Sequence, residues 1–169
     1  MTSSIRVVVS MACVLAAVAA AQNTPPSVKL NPPLVVAAGK PFNAVLTVTF
    51  APGLHGYQNP PSDPSLIPVS VTFVDKTFQA IHVKYPKGTP EKVGGDPKPV
   101  SVYEGAIKIP VVVTAPTKLG KTTLKLAFSY QQCTDRTCFQ PSSINVQADV
   151  LVVKNLPPTK AAAVPKGNG

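Results

Sequence analysis

Cys133 and Cys138 are the two residues of this sequence whose type and spacing point most directly to chemistry. They lie five positions apart, in the segment YQQCTDRTCFQP that begins at Tyr130, and the flanking pattern predicts the tip of a β-hairpin. In an oxidising compartment such a pair forms either a structural crosslink or a disulfide that exchanges electrons with a partner thiol. The residues by themselves leave both alternatives open.

As a crosslink, a disulfide between these cysteines would contribute little stability. It would close a loop of about six residues, for which the chain-entropy estimate is roughly 2 kcal/mol, and the flanking strands already hold that loop closed. A short, exposed bridge on a rigid hairpin is, however, well placed for in-line attack by a thiolate. Within the loop, the charge of Arg136 favours a thiolate, whereas the charge of Asp135 opposes one.

The N-terminus indicates the compartment. Arg6 is the only charge before an apolar run over residues 7–20, and residues 19–21 are all alanine. This pattern predicts a secretory signal peptide over residues 1–21, cleaved before Gln22. The run is shorter than the roughly 20 apolar residues of a spanning helix, so we expect a periplasmic or otherwise exported chain that is not embedded in the membrane.

Cleavage of the signal peptide would also remove Cys13, the third cysteine of the sequence. Lipidation of Cys13 is the alternative, but Ser10 is a poor residue three positions before a lipidated cysteine. Removal of Cys13 leaves Cys133 and Cys138 as an even pair, which is the number expected where thiols are oxidised.

Composition argues against nucleic-acid and metal sites. The formal charge is +9, from 16 Lys+Arg against 7 Asp+Glu, but the basic residues are almost all lysines that are spread along the chain. Nucleic-acid sites favour a basic stripe with arginines, and only Arg136 would remain after cleavage, so we expect no nucleic-acid partner. The two cysteines with His55 and His82, both distant in sequence, form a thin ligand set, and we expect no metal.

The rest of the chain predicts an all-β domain. Apolar residues alternate in short segments broken by Pro and Gly, and the 20 prolines disfavour helices. Eight segments fit strands, and the proline at position 110 within the sixth predicts an edge strand or a bulge: residues 28–30, 34–36, 42–50, 69–74, 80–85, 106–114, 122–130 and 144–153. This pattern is typical of a two-sheet β-sandwich.

These elements divide the chain into four parts. After the signal peptide we expect a polar leader over 22–27, the sandwich domain over 28–154 and a disordered tail over 155–169. Two segments within the domain, 51–68 and 86–102, have no clear alternation and are predicted to be long loops.

The cysteine segment resembles the redox loop of the N-terminal periplasmic domain of the thiol:disulfide interchange protein DsbD. That family has a strand ending Tyr-Gln-x-Cys, a short polar loop, and a cysteine followed by an aromatic residue and proline. Residues 130–133 and 138–141 match this order. Weaker landmarks extend the resemblance over roughly residues 28–153, at positions 52–57, 67–69, 83–88 and 103–106. Residues 52–57 lie where the family carries an aromatic-rich strand beside the cysteines.

The resemblance implies an immunoglobulin-like sandwich and an electron shuttle without a bound cofactor, which would act as a component of protein-disulfide reduction. Its electron donor would be a thioredoxin-like CxxC protein or a DsbD-like membrane protein, and its clients would be periplasmic proteins. By analogy, Cys138 would form the mixed disulfide and Cys133 would resolve it. The competing hypothesis is a non-enzymatic interaction domain in which the disulfide is structural.

Five further residues are expected to shape the site. Tyr57 matches a tyrosine near the active site of the family, and His55 lies where the family often has an aromatic residue. His55 either manages protons beside the sulfurs or is an ordinary packed or solvated histidine. The complete set of expected site-shaping residues is His55, Tyr57, Tyr103, Arg136 and Phe139.

The sequence departs from the family in two respects. Well-known members shield the disulfide with a cap loop that carries an acidic pair and a phenylalanine, whereas residues 94–97 here read Gly-Gly-Asp-Pro. We therefore expect any shielding to come from Tyr103 or Phe139. The full-length family protein also continues into a membrane conduit and a thioredoxin domain, so we expect this chain to take its electrons from a separate protein.

Overall fold

The computed structural model of the chain describes residues 24–94 and 97–156. The predicted signal peptide and nearly all of the predicted tail lie outside these residues. The described part contains strands and turns, and it includes no helix that could cross a membrane. In chain order, its strands are β1 (Ser27–Asn31), β2 (Val35–Ala37), β3 (Pro41–Thr49), β4 (His55–Tyr57), β5 (Ser70–Phe73), β6 (Gln79–Val83), β7 (Thr89–Glu91), β8 (Val100–Glu104), β9 (Ala106–Thr114), β10 (Gly120–Tyr130), β11 (Gln132–Cys133) and β12 (Ser142–Val153).

The strands form three sheets of four strands each. The first sheet has the order β1-β3-β9-β6, the second β2-β12-β10-β5, and the third β11-β4-β8-β7. Strand β2 pairs with β12 in parallel, and the other pairings between described strands are antiparallel. The long strand β10 ends at Tyr130, directly before the cysteine segment, so the second sheet carries the hairpin.

The first two sheets enclose one hydrophobic core. In the middle of the long strands β3, β9 and β10 every second residue is fully buried, because alternate side chains of a strand point to the same face. These residues are Ala44, Leu46 and Val48 in β3, Ile109, Val111 and Val113 in β9, and Leu124, Leu126 and Phe128 in β10. Each large apolar side chain buried in this way contributes about 1.5–3 kcal/mol. The prediction of an all-β, immunoglobulin-like two-sheet sandwich is confirmed.

The third sheet was not expected. The two segments predicted to be long loops, 51–68 and 86–102, contain β4, β7 and most of β8. These strands have only three to five residues, and all three residues of β4 are buried, so no polar and apolar alternation marks them. The loop prediction is therefore wrong at these strands, and they build the surroundings of the cysteines.

Of the two alternatives predicted at Pro110, an edge strand or a bulge, the edge strand is wrong, because β9 lies between β3 and β6. The carbonyl of Pro110 accepts a hydrogen bond from the N–H of Lys84 at 2.9 Å, just beyond the end of β6 at Val83. The N–H that proline lacks would point to this same side, where pairing is already ending. The register shift lies in β6 itself, between Ala80 and His82.

Candidate functional site

The two cysteines form a disulfide with unequal exposure of its two sulfur-bearing residues. Cys133 lies in β11 and is 1 % exposed, whereas Cys138 follows the loop and is exposed. Thiol–disulfide exchange requires a thiolate to approach one sulfur in line with the S–S bond. An external thiol can therefore reach the sulfur of Cys138 far more easily than that of Cys133.

Short hydrogen bonds hold the loop between the cysteines. The backbone N–H of Thr134 donates to the carbonyl of Thr137 at 2.8 Å. The hydroxyl of Thr134 accepts from the N–H groups of Arg136 and Thr137, at 3.2 and 3.1 Å. Below the loop, the N–H of Phe139 donates to the carbonyl of Gln132 at 2.8 Å. The local sequence thus closes the hairpin and positions both sulfurs.

The third sheet lies beside the disulfide, and β4 is one of its two inner strands. Residue Cys133 of β11 pairs with His55, and on the other side of β4 His55 pairs with Glu104 of β8. His55 and Tyr57 share the face that carries Cys133, whereas Gly56 between them faces the sandwich core. A Cβ atom at Gly56 would lie 2.8 Å from the ring of Phe50, so glycine is required for this close approach.

Tyr57 contacts the exposed sulfur. Its hydroxyl lies 3.7 Å from Sγ of Cys138 and must be the donor, because a disulfide sulfur carries no hydrogen. Burial raises the pKa of the Tyr57 phenol, so the hydroxyl keeps its proton at neutral pH. The side chain thus offers a fixed hydrogen-bond donor to whichever form of sulfur Cys138 presents.

His55 is the second polar group beside the disulfide. It is 1 % exposed, its ring lies edge-on to that of Tyr57 with 5.7 Å between centroids, and its Nε2 atom is buried without a hydrogen-bond partner. Such an atom costs about 1–3 kcal/mol in stability. Burial lowers the pKa of His55, although the nearby carboxylates of Glu104, Asp135 and Glu91 act in the opposite direction.

A cavity of about 300 Å³ opens beside Cys138. Its apolar lining comes from Tyr57, Leu66, Val93 and Val100, and its charged lining comes from Asp63, Lys98 and Arg136. The loop that carries Gly94 closes one side, because the N–H of Gly94 donates to the carbonyl of Asp135 at 2.9 Å. The cavity therefore combines apolar and charged side chains next to Cys138.

The structure brings together most of the residues that the sequence singled out. His55 and Tyr57 lie beside the disulfide, Arg136 lines the cavity, and Phe139 lies half-buried at the base of the hairpin. Tyr103 is the exception. Its ring belongs to the main core on the opposite face of the third sheet, and its hydroxyl donates to the carbonyl of Pro86 at 2.6 Å.

Sequence reasoning missed the apolar lining of the cavity and one anchor of the hairpin. Val93 stands alone among polar residues, Leu66 adjoins only Ile67, and Val100 begins a strand of five residues, so no pattern marked them as the lining of one cavity. Gln132 is buried, and its side-chain amide donates to the carbonyl of Thr24 at 2.9 Å. Its position between Tyr130 and Cys133 was visible, but its burial follows only from the fold.

Among residues 24–94 and 97–156, no group of three or more His, Cys, Asp or Glu side chains is arranged to hold a metal ion. The described site contains the disulfide, with the phenol of Tyr57 and the imidazole of His55 beside it.

Comparison with known proteins identifies the family. The family model described as "Thiol:disulfide interchange protein DsbD, N-terminal" matches residues 25–149. No curated protein matches the chain. Among solved structures, the chain is similar to the reduced N-terminal domain of Neisseria meningitidis DsbD, with 17% identity, a TM-score of 0.43, and coverage of 73% of this chain and 83% of that chain. The family match spans the third sheet and both cysteines and confirms the resemblance noted in the sequence, so this chain belongs to the family of N-terminal domains of the thiol:disulfide interchange protein DsbD.

Proposed function

We propose that this protein is an exported thiol–disulfide exchange module that carries electrons through the Cys133–Cys138 pair. It accepts them from a thioredoxin-like CxxC protein, free or part of a DsbD-like membrane protein, and delivers them to periplasmic clients. Export rests on the signal-peptide pattern of residues 1–21. The observation that carries the proposal is the disulfide itself, with one buried cysteine and one exposed cysteine next to an open cavity.

Reduction begins at the exposed sulfur. A donor thiolate attacks Sγ of Cys138, a new S–S bond forms between donor and Cys138, and the electron pair of the broken bond moves to Cys133. The second cysteine of the donor then attacks its own neighbour in the mixed disulfide and releases Cys138 as a thiolate. Two electrons have then entered the pair and the donor has become a disulfide; two protons, released by the donor thiols or taken from solvent, convert the two thiolates to thiols.

Delivery to a client runs through the same sulfur. The thiolate of Cys138 attacks a client disulfide and forms a mixed disulfide, and one client sulfur leaves. Cys133 then attacks Sγ of Cys138, which restores the internal disulfide and releases the second client thiolate. Tyr57 assists both directions, because its hydroxyl can donate to the sulfur of Cys138 whenever that sulfur carries negative charge.

The cavity supplies the docking site in this proposal. Residues that flank the reactive cysteine of a partner would contact the apolar side chains that line the cavity, Leu66, Val93 and Val100. Lys98 and Arg136 favour acidic groups on the partner, in keeping with the basic charge of the whole chain. The third sheet thus takes part in recognition, and the sandwich core supports it.

The test is a redox titration combined with trapping. We expect the Cys133–Cys138 pair to equilibrate with glutathione or a thioredoxin-like dithiol at a reduction potential above about −300 mV. Structural disulfides usually have potentials below that value. In Cys133→Ser, the remaining Cys138 should accumulate a mixed disulfide with the partner. The matched variant Cys138→Ser should trap much less, because Cys133 is buried. A bridge that resists both reductants, with no trapped species, would leave only a structural crosslink in an interaction domain.

A further inference from the structure

Four residues lie in one row across the site. Cys138 bridges to Cys133, Cys133 pairs with His55, and His55 pairs with Glu104. Directly opposed residues of antiparallel strands place their side chains on the same face, with Cβ atoms about 5 Å apart. His55 is thus the neighbour of the buried cysteine on the side that faces away from the disulfide bond.

The imidazole of His55, beside Cys133, has a nitrogen atom that makes no hydrogen bond. Its Nε2 atom is buried and has no partner while the cysteines are joined as a disulfide. Buried polar atoms are nearly always paired, so an unpaired one at a reactive centre calls for a functional explanation. A disulfide sulfur carries no proton. After reduction, a thiol at Cys133 can donate a proton, and a thiolate at Cys133 can accept one.

The charged and titratable groups around His55 come from every neighbouring element. Glu104 faces it from β8, Glu91 lies on β7, Asp135 lies in the cysteine loop, and Tyr57 lies on its own strand. The three carboxylates stabilise a protonated imidazole, whereas burial opposes it, and burial dominates. His55 is therefore neutral at rest and able to accept a proton, and its protonated form would have negative groups close by.

We propose that His55 exchanges the proton of the Cys133 thiol during the exchange reaction. This inference rests on the proposed function above and adds a residue to it. When Cys133 resolves a mixed disulfide, His55 accepts the thiol proton at Nε2, and the Cys133 thiolate attacks Sγ of Cys138. The internal S–S bond forms, the bond from Cys138 to the client breaks, and the client sulfur leaves with the electron pair.

In the reverse step, His55 delivers a proton to Cys133. When a donor thiolate attacks Cys138, the electron pair of the broken bond moves to Cys133, and a buried thiolate would result. His55, which is neutral before the step, takes up a proton from solvent, passes it to that sulfur and is neutral again afterwards. One proton is consumed for each Cys133 thiol formed, so the step balances without any further reactant.

A two-phase reaction with dithiobis(nitrobenzoate), whose released thiolate is coloured, separates the two cysteines. The experiment uses the reduced protein in the form that the cell produces. Attack by Cys138 on the reagent releases one coloured thiolate. Attack by Cys133 on the resulting mixed disulfide releases the second. Only the second phase requires Cys133 to lose its proton. The first phase is therefore an internal control for any general effect of a substitution.

We expect His55→Phe to slow the second phase roughly tenfold or more near neutral pH, as for the loss of a general base. The rate of this phase should recover at high pH, where Cys133 ionises unaided, and the first phase should change little. His55→Gln, which keeps a polar side chain but cannot take up the proton, serves if the phenylalanine variant folds poorly and should show the same shift. His82→Phe, which removes an exposed histidine on β6, is the matched control and should leave both phases unchanged.

Two results would overturn the inference in different ways. If wild-type protein shows both phases but the folded His55 variants show an unchanged second phase and pH profile, then His55 is only a packed residue and the shuttle stands. If the wild-type protein releases no second coloured thiolate, then the exchange function itself fails and the role of His55 fails with it.

Discussion

At the scale of single residues, the contact between Tyr57 and Cys138 links the fold to the reactive sulfur. A disulfide sulfur accepts a hydrogen bond only weakly, whereas a thiolate accepts a much stronger one. The phenol at 3.7 Å therefore interacts more favourably with the reduced protein than with the oxidised one. In the proposed exchange, such a difference would raise the fraction of Cys138 present as the attacking thiolate at neutral pH and would make that sulfur a better leaving group.

Tyr57→Phe tests this contact. We expect the alkylation rate of Cys138 near neutral pH, measured in a Cys133→Ala background, to fall about tenfold, because a hydrogen bond to a charged group is worth roughly 1.5 kcal/mol. The pH midpoint of alkylation should move to higher pH. Tyr103→Phe is the control, because the hydroxyl of Tyr103 donates to Pro86 on the other face of the sheet. Equal effects of the two substitutions would contradict a specific role for Tyr57.

At the scale of elements, strand β4 is the part on which the site depends. It lies in the third sheet between β11 and β8, and it is buried on both faces. On one face it carries His55 and Tyr57, and on the other Gly56 allows the ring of Phe50 to pack directly against its backbone. A small shift of β4 would therefore move both polar side chains away from the sulfurs.

Gly56→Ala should shift β4. The new Cβ would lie 2.8 Å from Phe50 and 3.1 Å from Val69, and overpacking of this kind typically costs about 1–3 kcal/mol. We expect a lower urea midpoint together with slower exchange at Cys138. Adding Phe50→Leu should restore part of both losses, as coupled neighbours do in a double-mutant cycle. Additive effects of the two substitutions would show that this contact does not position the strand.

At the scale of the whole molecule, the exchange site and the main core are separate clusters that share the third sheet. The core fills the space between the first two sheets, whereas Tyr57, Val102 and Cys133 form a second, smaller cluster under the hairpin. We therefore expect the sandwich core to stay in place when the disulfide opens. Global unfolding, by contrast, exposes both clusters and transfers His55 from a buried site to water.

Because of that transfer, stability should fall on acidification. The pKa of His55 is lowered by burial from its ordinary value of 6.5, so below pH 6.5 the unfolded chain binds a proton that the folded chain does not. The stabilisation is complete above pH 6.5 and declines as the pH falls towards the folded-state value, with a slope of at most about 1.4 kcal/mol per pH unit. Urea unfolding between about pH 7.5 and pH 5 measures this slope, above the range in which ordinary carboxylates titrate.

Two histidine variants make this test specific. In His55→Phe the slope should largely disappear, whereas His82→Phe should keep it, because His82 is exposed. A wild-type slope in the His55 variant would mean that another group is responsible for the acid sensitivity.

The sequence was sufficient for everything that local patterns encode. Period-2 alternation located the long strands of both main sheets, and with them the sandwich, because one face of each strand must be buried. The spacing of Cys133 and Cys138 after Tyr130 identified the hairpin and its resemblance to the DsbD family. Export also rests on a local pattern, over residues 1–21, and stays a prediction.

Tertiary structure was needed for the site itself. Tyr57 and Cys138 are 81 positions apart, and only the pairing of β4 with β11 brings their segments together. Short strands buried on both faces show no alternation, so periodicity did not mark β4 as a strand, and only the family resemblance at residues 52–57 indicated one there. Chemically the two cysteines are identical, and only packing against the third sheet makes one of them buried and the other accessible.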